Sequence, residues 1–303
     1  MKSAFVENIE YYSFLGASGI IKRLPLRISC LLAEVCGSLY FHIDAKHRTR
    51  VVQHLLHAGI VKDVAEARIL ARRNFVHFIK MAVEIFKCPQ MLKQENLPEI
   101  LSIAGSEASR KMFFPENGES MQAIVVSAHF GNWEVAGPAI AIKSGRPLMS
   151  IMRPFDNPRI GEYIKGRRKI FSNDICDKKG AVRILLKALK TGSSVAILPD
   201  QHAGGNEGVE SVFFGHPAMS HTLPALLHLK TGIPIVVLLT RRVDDSFKFE
   251  FILSDPITMM PSEDKKRDVK ELVQKYTSEI EKIVARYPEQ WMWAHRRWLD
   301  INR

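Results

Sequence analysis

From about residue 120 to residue 260, the chain alternates short apolar runs, several of them rich in β-branched residues, with segments of helical periodicity. The runs read QAIVVSAHF, PLMSIM, SSVAILPD, IPIVVLLTRRV and FKFEFILSDPI. Strands that are buried on both faces read as continuous apolar runs, and helices between them provide the crossovers of a parallel sheet. The alternation therefore predicts an α/β fold, with a central, mainly parallel sheet flanked by helices.

The N-terminal region, residues 1–95, reads as helical. It contains two largely apolar stretches, YYSFLGASGII and LPLRISCLLAEVCGSLYFHI. A helix that spans a membrane needs about 20 mostly apolar residues. The first stretch is too short, and the second carries Arg27 and Glu34. We therefore expect these helices to lie at a membrane interface, with a pair of ordinary core helices as the alternative.

The C-terminal region, residues 262–303, begins with a helical stripe of apolar residues in KKRDVKELVQKYTSEIEKIVARYP and ends in a Trp-rich tail. The tail is typical of packing or of an interfacial anchor. No internal repeat or low-complexity linker separates this region from the α/β core at 120–260. We expect residues 1–303 to form a single domain.

The charge balance is strongly basic, with 43 Lys and Arg against 32 Asp and Glu, a formal net charge of +11. Such a charge favours anionic partners: nucleic acid, an acidic membrane surface or an acidic carrier protein. The sequence has no helix-turn-helix, zinc or RNA-recognition signature, so we expect no nucleic acid. A merely soluble basic protein is the alternative interpretation.

Histidine followed five positions later by an acid is a recurring pattern in this chain. Eleven histidines and 32 acids among 303 residues would give about one such match by chance. Three occur: His129/Glu134, His202/Glu207 and His295/Asp300.

His129 and Glu134 have the most informative surroundings. The run AIVVSA delivers His129 to the end of a predicted strand, Gly131 permits a tight turn, and Asn132 is a good N-cap for the next helix. Across such a bend the Glu134 carboxylate can reach the imidazole and fix its tautomer, leaving the other nitrogen as a general base. A structural histidine is the alternative.

The other two pairs have weaker settings. His202 and Glu207 flank a glycine-rich loop after a strand, where ligand contact is plausible and core catalysis less so. His295 and Asp300 lie in the Trp-rich tail, which favours packing. A metal hydrolase that uses Asp200, His202, His216 and His221 is also conceivable, although their spacing matches no familiar zinc pattern.

Five blocks extend the motif around His129, in order: SAHFGNWE, MRPFDNPRIGEYIKGRR, AILPDQHAGGNEGVESVFFGHPA, TGIPIVVLLTRR and YPEQWMWAHRRW. Together they resemble the lipid A biosynthesis acyltransferase family, which comprises late lauroyl and myristoyl transferases and is related to mycobacterial phosphatidylinositol mannoside acyltransferases. The resemblance runs from about residue 25 to the end of the chain. It implies a glycerolipid acyltransferase-like fold.

The resemblance also implies a reaction. A fatty acyl chain would pass from a thioester co-substrate, acyl carrier protein or acyl-CoA, to a hydroxyl of a glycolipid such as a lipid A precursor. No metal, other cofactor or covalent acyl-enzyme is expected. His129 would be the general base and Glu134 its orienting partner. The positions that match the family's binding residues are Arg153, Arg167, Asp200, Phe214 and Gly215.

Two departures from the family pattern concern the substrate. After FFGHPA this chain has MSHTLPA, with His221 and Leu223 where small residues are usual, and VVQHLLHAG lacks an expected Asn. The acceptor could therefore be a phosphatidylinositol mannoside or an aminolipid, and a non-catalytic protein that binds membrane or nucleic acid is a further alternative. The implied location is the cytoplasmic face of the bacterial inner membrane, on an anionic surface.

Overall fold

The computed structural model describes residues 4–152, 155–169, 173–177, 180–299 and 301; several side chains within these ranges, that of Arg167 among them, lie outside the description. The helices are α1 (Ala4–Arg23), α2 (Leu26–Ile43), α3 (Ala45–His57), α4 (Val64–Met91), α5 (Leu97–Ile100), α6 (Glu107–Phe113), α7 (Trp133–Ser144), α8 (Pro158–Lys169), α9 (Ala181–Lys190), α10 (Leu223–Thr231) and α11 (Lys265–Arg286). The strands are β1 (Leu101–Gly105), β2 (Ile124–Val126), β3 (Leu148–Met152), β4 (Asn173–Asp177), β5 (Ser194–Ile197), β6 (Gly208–Phe213), β7 (His216–His221), β8 (Ile235–Arg242) and β9 (Phe249–Leu253).

Seven of the strands form a central sheet in the order β1-β9-β8-β2-β5-β3-β4. Every neighbouring pair is parallel except β8 and β9, which are antiparallel. The prediction of an α/β fold with a mainly parallel sheet flanked by helices is confirmed. All five apolar runs identified in the sequence contain a strand of this sheet.

The central strand β2 shows why its sequence is apolar throughout. Ile124 and Val126 point into the core on one face of the sheet, and Val125 points into the core on the other face. All three are at most 3% exposed. Because helices cover both faces of the sheet, a polar side chain at any position of this strand would be buried in an apolar core.

Three strand regions were not anticipated from the sequence. Strand β1 forms one edge of the sheet, where it pairs with β9, and β4 forms the opposite edge. Strands β6 and β7 form a separate hairpin, turned by Phe214 and Gly215 with φ of +51° and +74°. Positive φ at both central residues is what a two-residue hairpin turn requires.

The N-terminal region is helical, as predicted, and α2 packs along α4. Their backbones approach closely at Gly37, where an added Cβ would lie 2.6 Å from Val76 Cα. Among the described helices, α2 has the length and apolar composition to cross a membrane, with a mean hydropathy of 1.3 and only 28% of its residues buried. Its outer face leaves Leu31 63% and Ile43 78% exposed.

Candidate active site

His129 and Asp200 meet because they follow neighbouring parallel strands. His129 comes three residues after β2, and Asp200 three residues after β5. The two strands pair directly in parallel. Their carboxyl ends therefore lie at the same edge of the sheet, where α/β proteins place their sites.

A tight turn then leads from His129 into α7. Gly131 has a φ of +57°, and a Cβ at this position would lie 1.7 Å from the carbonyl oxygen of Thr240. Only glycine is compatible with this backbone and this approach. Asn132 caps α7 by accepting a hydrogen bond from Val135 N. The sequence-based assignments of Gly131 and Asn132 are both confirmed.

The Asp200 carboxylate holds His129 in two ways. Its Oδ1 lies 2.9 Å from His129 Nδ1, and its Oδ2 accepts from the His129 backbone N–H at 2.8 Å. Trp291 Nε1 also donates to Oδ2, at 2.9 Å. Burial alone raises the pKa of Asp200, but the adjacent His129 charge and these hydrogen bonds outweigh burial and lower the pKa to about 2. The carboxylate is therefore ionised and fixes the Nδ1–H tautomer of the ring.

The other ring nitrogen of His129 faces Gln201. The Gln201 amide nitrogen lies 3.0 Å from His129 Nε2 and 2.8 Å from Nε2 of His295. The two imidazole rings are 5.5 Å apart between centroids. The Asp200 carboxylate occupies Nδ1, whereas Nε2 contacts an amide that a substrate can displace. Nε2 is therefore the ring nitrogen that can take a proton from a substrate.

A cavity of about 670 Å³ adjoins His129. Its walls are mainly apolar side chains of α7, α9, α10 and strands β2, β3 and β5, with small residues at Ala136, Gly137 and Ala196. Trp133 packs edge-on against the His129 ring at 5.0 Å between centroids. The shape and composition suit a long apolar ligand with its reactive end at the histidine.

Glu134 lies on the first turn of α7, half-buried, and lines this same cavity. The structure thus brings it to the site together with His129, while the carboxylate on His129 Nδ1 is that of Asp200. The orienting role of Glu134 stays a prediction.

The other predicted binding residues are placed as follows. Asp200 is 4% exposed and contacts His129 itself. Phe214 and Gly215 form the hairpin turn, where Phe214 packs on Phe213 and Trp293. Arg153 lies outside the described residues, and Arg167 lies on α8 with its side chain outside the description. Substrate contact by these positions stays a prediction.

The weaker histidine pairs separate in space. His202 and Glu207 line different cavities, and the ion-pair partner of Glu207 is His221, at 3.8 Å. His295, interpreted as part of a packing segment, lies at the site beside His129. The tail's tryptophans are core residues rather than an interfacial anchor, since Trp291, Trp293 and Trp298 are each at most 1% exposed.

The four residues considered for a metal site do not converge. Asp200 bonds to His129, His216 stacks on His57 at 3.6 Å, and His221 faces Glu207. Within the described part of the chain, no three His, Cys, Asp or Glu side chains are grouped as metal ligands.

A buried ionic network contacts the turn at Gly131 and Asn132. Arg242 pairs with Glu84 through Nε, and its Nη2 donates to Glu84 Oε2 at 2.9 Å. Its Nη1 donates to His77 Nδ1 at 2.8 Å, and His77 Nε2 donates to Gly131 O at 3.1 Å. Asn132 Nδ2 also donates to Glu84, at 2.7 Å. Burial and the Arg242 charge hold the pKa of His77 well below its ordinary value.

The structure thus places a carboxylate-bound histidine at the carboxyl edge of a mainly parallel sheet, facing a mainly apolar cavity. The chain belongs to the bacterial lipid A biosynthesis acyltransferase family, whose model matches residues 3–300, and it is an acyltransferase. The predicted resemblance is confirmed.

Individual relatives agree with this assignment. The chain is 28% identical over 285 residues to the lipid A biosynthesis palmitoleoyltransferase of Escherichia coli, covering 93% of this chain and 89% of that protein. It is 26% identical over 285 residues, with the same coverage, to the lipid A biosynthesis lauroyltransferase of the same organism. A lipid A biosynthesis acyltransferase of Shigella flexneri is also 28% identical over 285 residues.

Proposed function

We propose that this protein transfers a fatty acyl chain from a thioester donor, acyl carrier protein or acyl-CoA, to a hydroxyl of a lipid A-type glycolipid. The observation that carries the proposal is the His129–Asp200 pair facing the apolar cavity, in a chain of this family. The names of the relatives supply the acceptor class.

In this mechanism, His129 Nε2 accepts the proton of the acceptor hydroxyl as that oxygen attacks the thioester carbonyl. The resulting imidazolium is stabilised by Asp200 on Nδ1, a contact of 2.9 Å. Collapse of the tetrahedral intermediate breaks the C–S bond, and the imidazolium returns its proton to the leaving thiolate. The oxygen ester and the free thiol are the products, and no acyl-enzyme forms.

The Gln201 amide bonds to His129 Nε2 and must give up this bond when the hydroxyl arrives. Its second contact, to His295 Nε2 at 2.8 Å, keeps the amide at the edge of the site. Glu134, on the wall of the same cavity, adds a negative charge near the developing imidazolium.

The acyl chain is proposed to lie in the cavity of about 670 Å³, between α7 and the sheet. Small side chains at Ala136 and Ala196 leave room for a chain there. The exposed apolar face of α2, with Leu31 and Ile43, favours a membrane surface as the place where the acceptor is met. We propose the cytoplasmic face, since acyl carrier protein and acyl-CoA are intracellular donors.

Mass spectrometry of a panel of glycolipid acceptors tests this proposal, with acyl carrier protein and acyl-CoA donors in separate reactions. We expect a gain of one acyl chain, and a rate about 10²–10⁴-fold lower in His129→Ala, the range that general base catalysis provides. His42→Ala is the matched control because His42 is exposed on α2. Equal rates for wild type and His129→Ala would overturn the mechanism.

A further inference from the structure

A second cavity, of about 580 Å³, adjoins the active site and is lined by residues of α2, α3, α4 and the C-terminal segment. Three residues line both cavities: Gln201, Met292 and His295. Two of these three also form the contacts at His129, since the Gln201 amide bridges His129 and His295. A ligand in the second cavity would therefore have its near end within reach of the base.

The polar side of this cavity is basic. Arg50, Arg296, His47 and His202 line it, and no Asp or Glu stands among its described lining residues. The nearby carboxylate of Asp44 is already engaged, with Tyr40 Oη at 2.7 Å and His47 Nδ1 at 2.6 Å.

Both arginines line the cavity, and a hydrogen bond holds one of them in place. Arg50 is half-buried and donates from Nη1 to the carbonyl of Ala294 at 2.9 Å, which fixes its side chain against the segment that carries Arg296. Burial and the Arg296 charge lower the pKa of Arg50, and the Asp44 carboxylate acts in the opposite direction. Two guanidinium groups on one cavity, with no carboxylate among its described lining residues, are typical of a site that an anion completes.

The opposite wall is apolar and is built by the N-terminal helices. It consists of Tyr40 from α2, with Phe75, Phe78 and Ile79 from α4. Tyr40 is 45% exposed and belongs to the same helix that presents the apolar outer face. The cavity is lined by basic and by apolar side chains, and one of the latter, Tyr40, lies on α2. Such a lining suits an amphipathic ligand better than a wholly polar one.

We propose that this second cavity binds the acceptor glycolipid through an anionic group of its headgroup, a phosphate or a carboxylate, held by Arg50 and Arg296. The acceptor hydroxyl then reaches His129 from this side while the acyl chain of the donor occupies the other cavity. The proposal rests on the proposed acyl transfer and adds to it the acceptor's binding site and charge.

The kinetic arm compares a phosphorylated glycolipid of the lipid A type with the same glycolipid after its phosphates have been removed. The enzymes are wild type, Arg50→Gln, Arg296→Gln and, as matched control, Arg267→Gln, which removes an exposed charge on α11. With the phosphorylated acceptor we expect each cavity variant to raise the acceptor KM about tenfold or more, the scale of a lost charge-assisted hydrogen bond. We expect the donor KM, and all constants with the dephosphorylated acceptor, to stay within about twofold of wild type.

Arg296→Gln keeps the test informative if Arg50→Gln fails to fold, because Arg296 is exposed. A higher donor KM with an unchanged acceptor KM would assign the cavity to the donor and overturn the proposal. So would an equal loss with both acceptors.

The binding arm needs no turnover. Without donor, the affinity of each protein for the two glycolipids is measured in detergent micelles, with inorganic phosphate as a competitor. Tighter binding of the phosphorylated lipid, weakened in both cavity variants and not in Arg267→Gln, supports the site even if wild type acylates neither lipid. Competition by inorganic phosphate at equal affinity would identify a free-phosphate site instead. Equal affinity for both lipids in wild type would overturn the proposal.

Discussion

Two histidine systems flank the turn at residues 129–132, and they differ in what surrounds them. The first is His129 with Asp200, where the His129 side chain is 23% exposed and faces the cavities. The second is His77 with Arg242 and Glu84, where His77 is only 4% exposed. Both contain a buried carboxylate and both contact the turn.

The sign of the neighbouring charge separates their tasks. A carboxylate beside His129 favours the protonated ring, which is what a base needs after it has taken a proton. A guanidinium beside His77 and full burial disfavour the protonated ring, and the pKa of His77 lies well below its ordinary value. The partly exposed His129–Asp200 pair, the open system, can therefore perform proton transfer. The buried network of His77, Arg242 and Glu84, the sealed system, holds Gly131 and Asn132 in place. Each prediction below separates the two.

The largest effect is expected in the sealed network. Arg242→Met leaves Glu84 buried without its cation, and we expect the free energy of unfolding to fall by about 3–5 kcal/mol. Urea unfolding followed by circular dichroism measures this change. Arg241→Met is the matched control on the same strand, because Arg241 makes a half-exposed pair with Glu250 worth about 1 kcal/mol or less. Equal losses in the two variants would contradict a structural role for the network.

In the open pair, Asp200→Asn is expected to lower kcat about 100-fold with little change in KM. The new amide presents N–H to His129 Nδ1 and so favours the tautomer whose proton sits on Nε2, where the base is needed. Steady-state kinetics and a melting curve separate catalysis from stability. Asp174→Asn, at an exposed position on β4, is the control. A kcat within twofold of wild type would remove Asp200 from the mechanism.

A smaller effect is expected for Glu134→Gln, which removes a charge from the wall of the acyl cavity. We expect kcat to fall about tenfold, equivalent to about 1.4 kcal/mol of lost transition-state stabilisation. Glu271→Gln, exposed on α11, is the control. If kcat fell as far as in Asp200→Asn, Glu134 would be as important as Asp200 for orienting His129 or for stabilising its positive charge.

The two systems should also lose stability in different pH ranges, a small effect at neutral pH. The pKa of His77 is depressed on folding, so the unfolded chain binds its proton first, and stability falls as the pH drops below about 6.5. The pKa of Asp200 is lowered to about 2, so its contribution is present above about pH 4 and is lost between about pH 4 and 2.

Unfolding free energies measured from pH 8 to pH 2 test this separation. His77→Gln should remove part of the slope between pH 5 and 7, at most about 1.4 kcal/mol per pH unit for one proton. Asp200→Asn should differ from wild type above pH 4 and converge toward it below. The same pH range for both variants would contradict the assignment.

Local sequence patterns predicted much of the fold and the turn that presents His129. The five apolar runs contain strands, and Asn132 caps α7. These features depend on neighbours within a few residues, so the sequence carries them directly. The hairpin and the edge strands β1 and β4 were missed because their sequences are less apolar and their pairing partners are distant.

The partner of His129 illustrates the limit. Asp200 lies 71 residues further along the chain, and the only sequence signal is that each residue follows an apolar run by the same short distance. That signal becomes a contact only if β2 and β5 are neighbours, which the strand order decides. His295 arrives from the C-terminal segment, whose position is set by three buried tryptophans.

The sequence by itself determined the α/β class, the turn that presents His129 and the family to which the chain belongs. The tertiary structure alone decided which carboxylate holds the imidazole, which histidine is sealed, and that two cavities meet at Gln201 and His295. The physical reason is range: periodicity, caps and glycine turns act over a few residues, whereas burial and charge pairing depend on segments that folding brings together from distant parts of the chain.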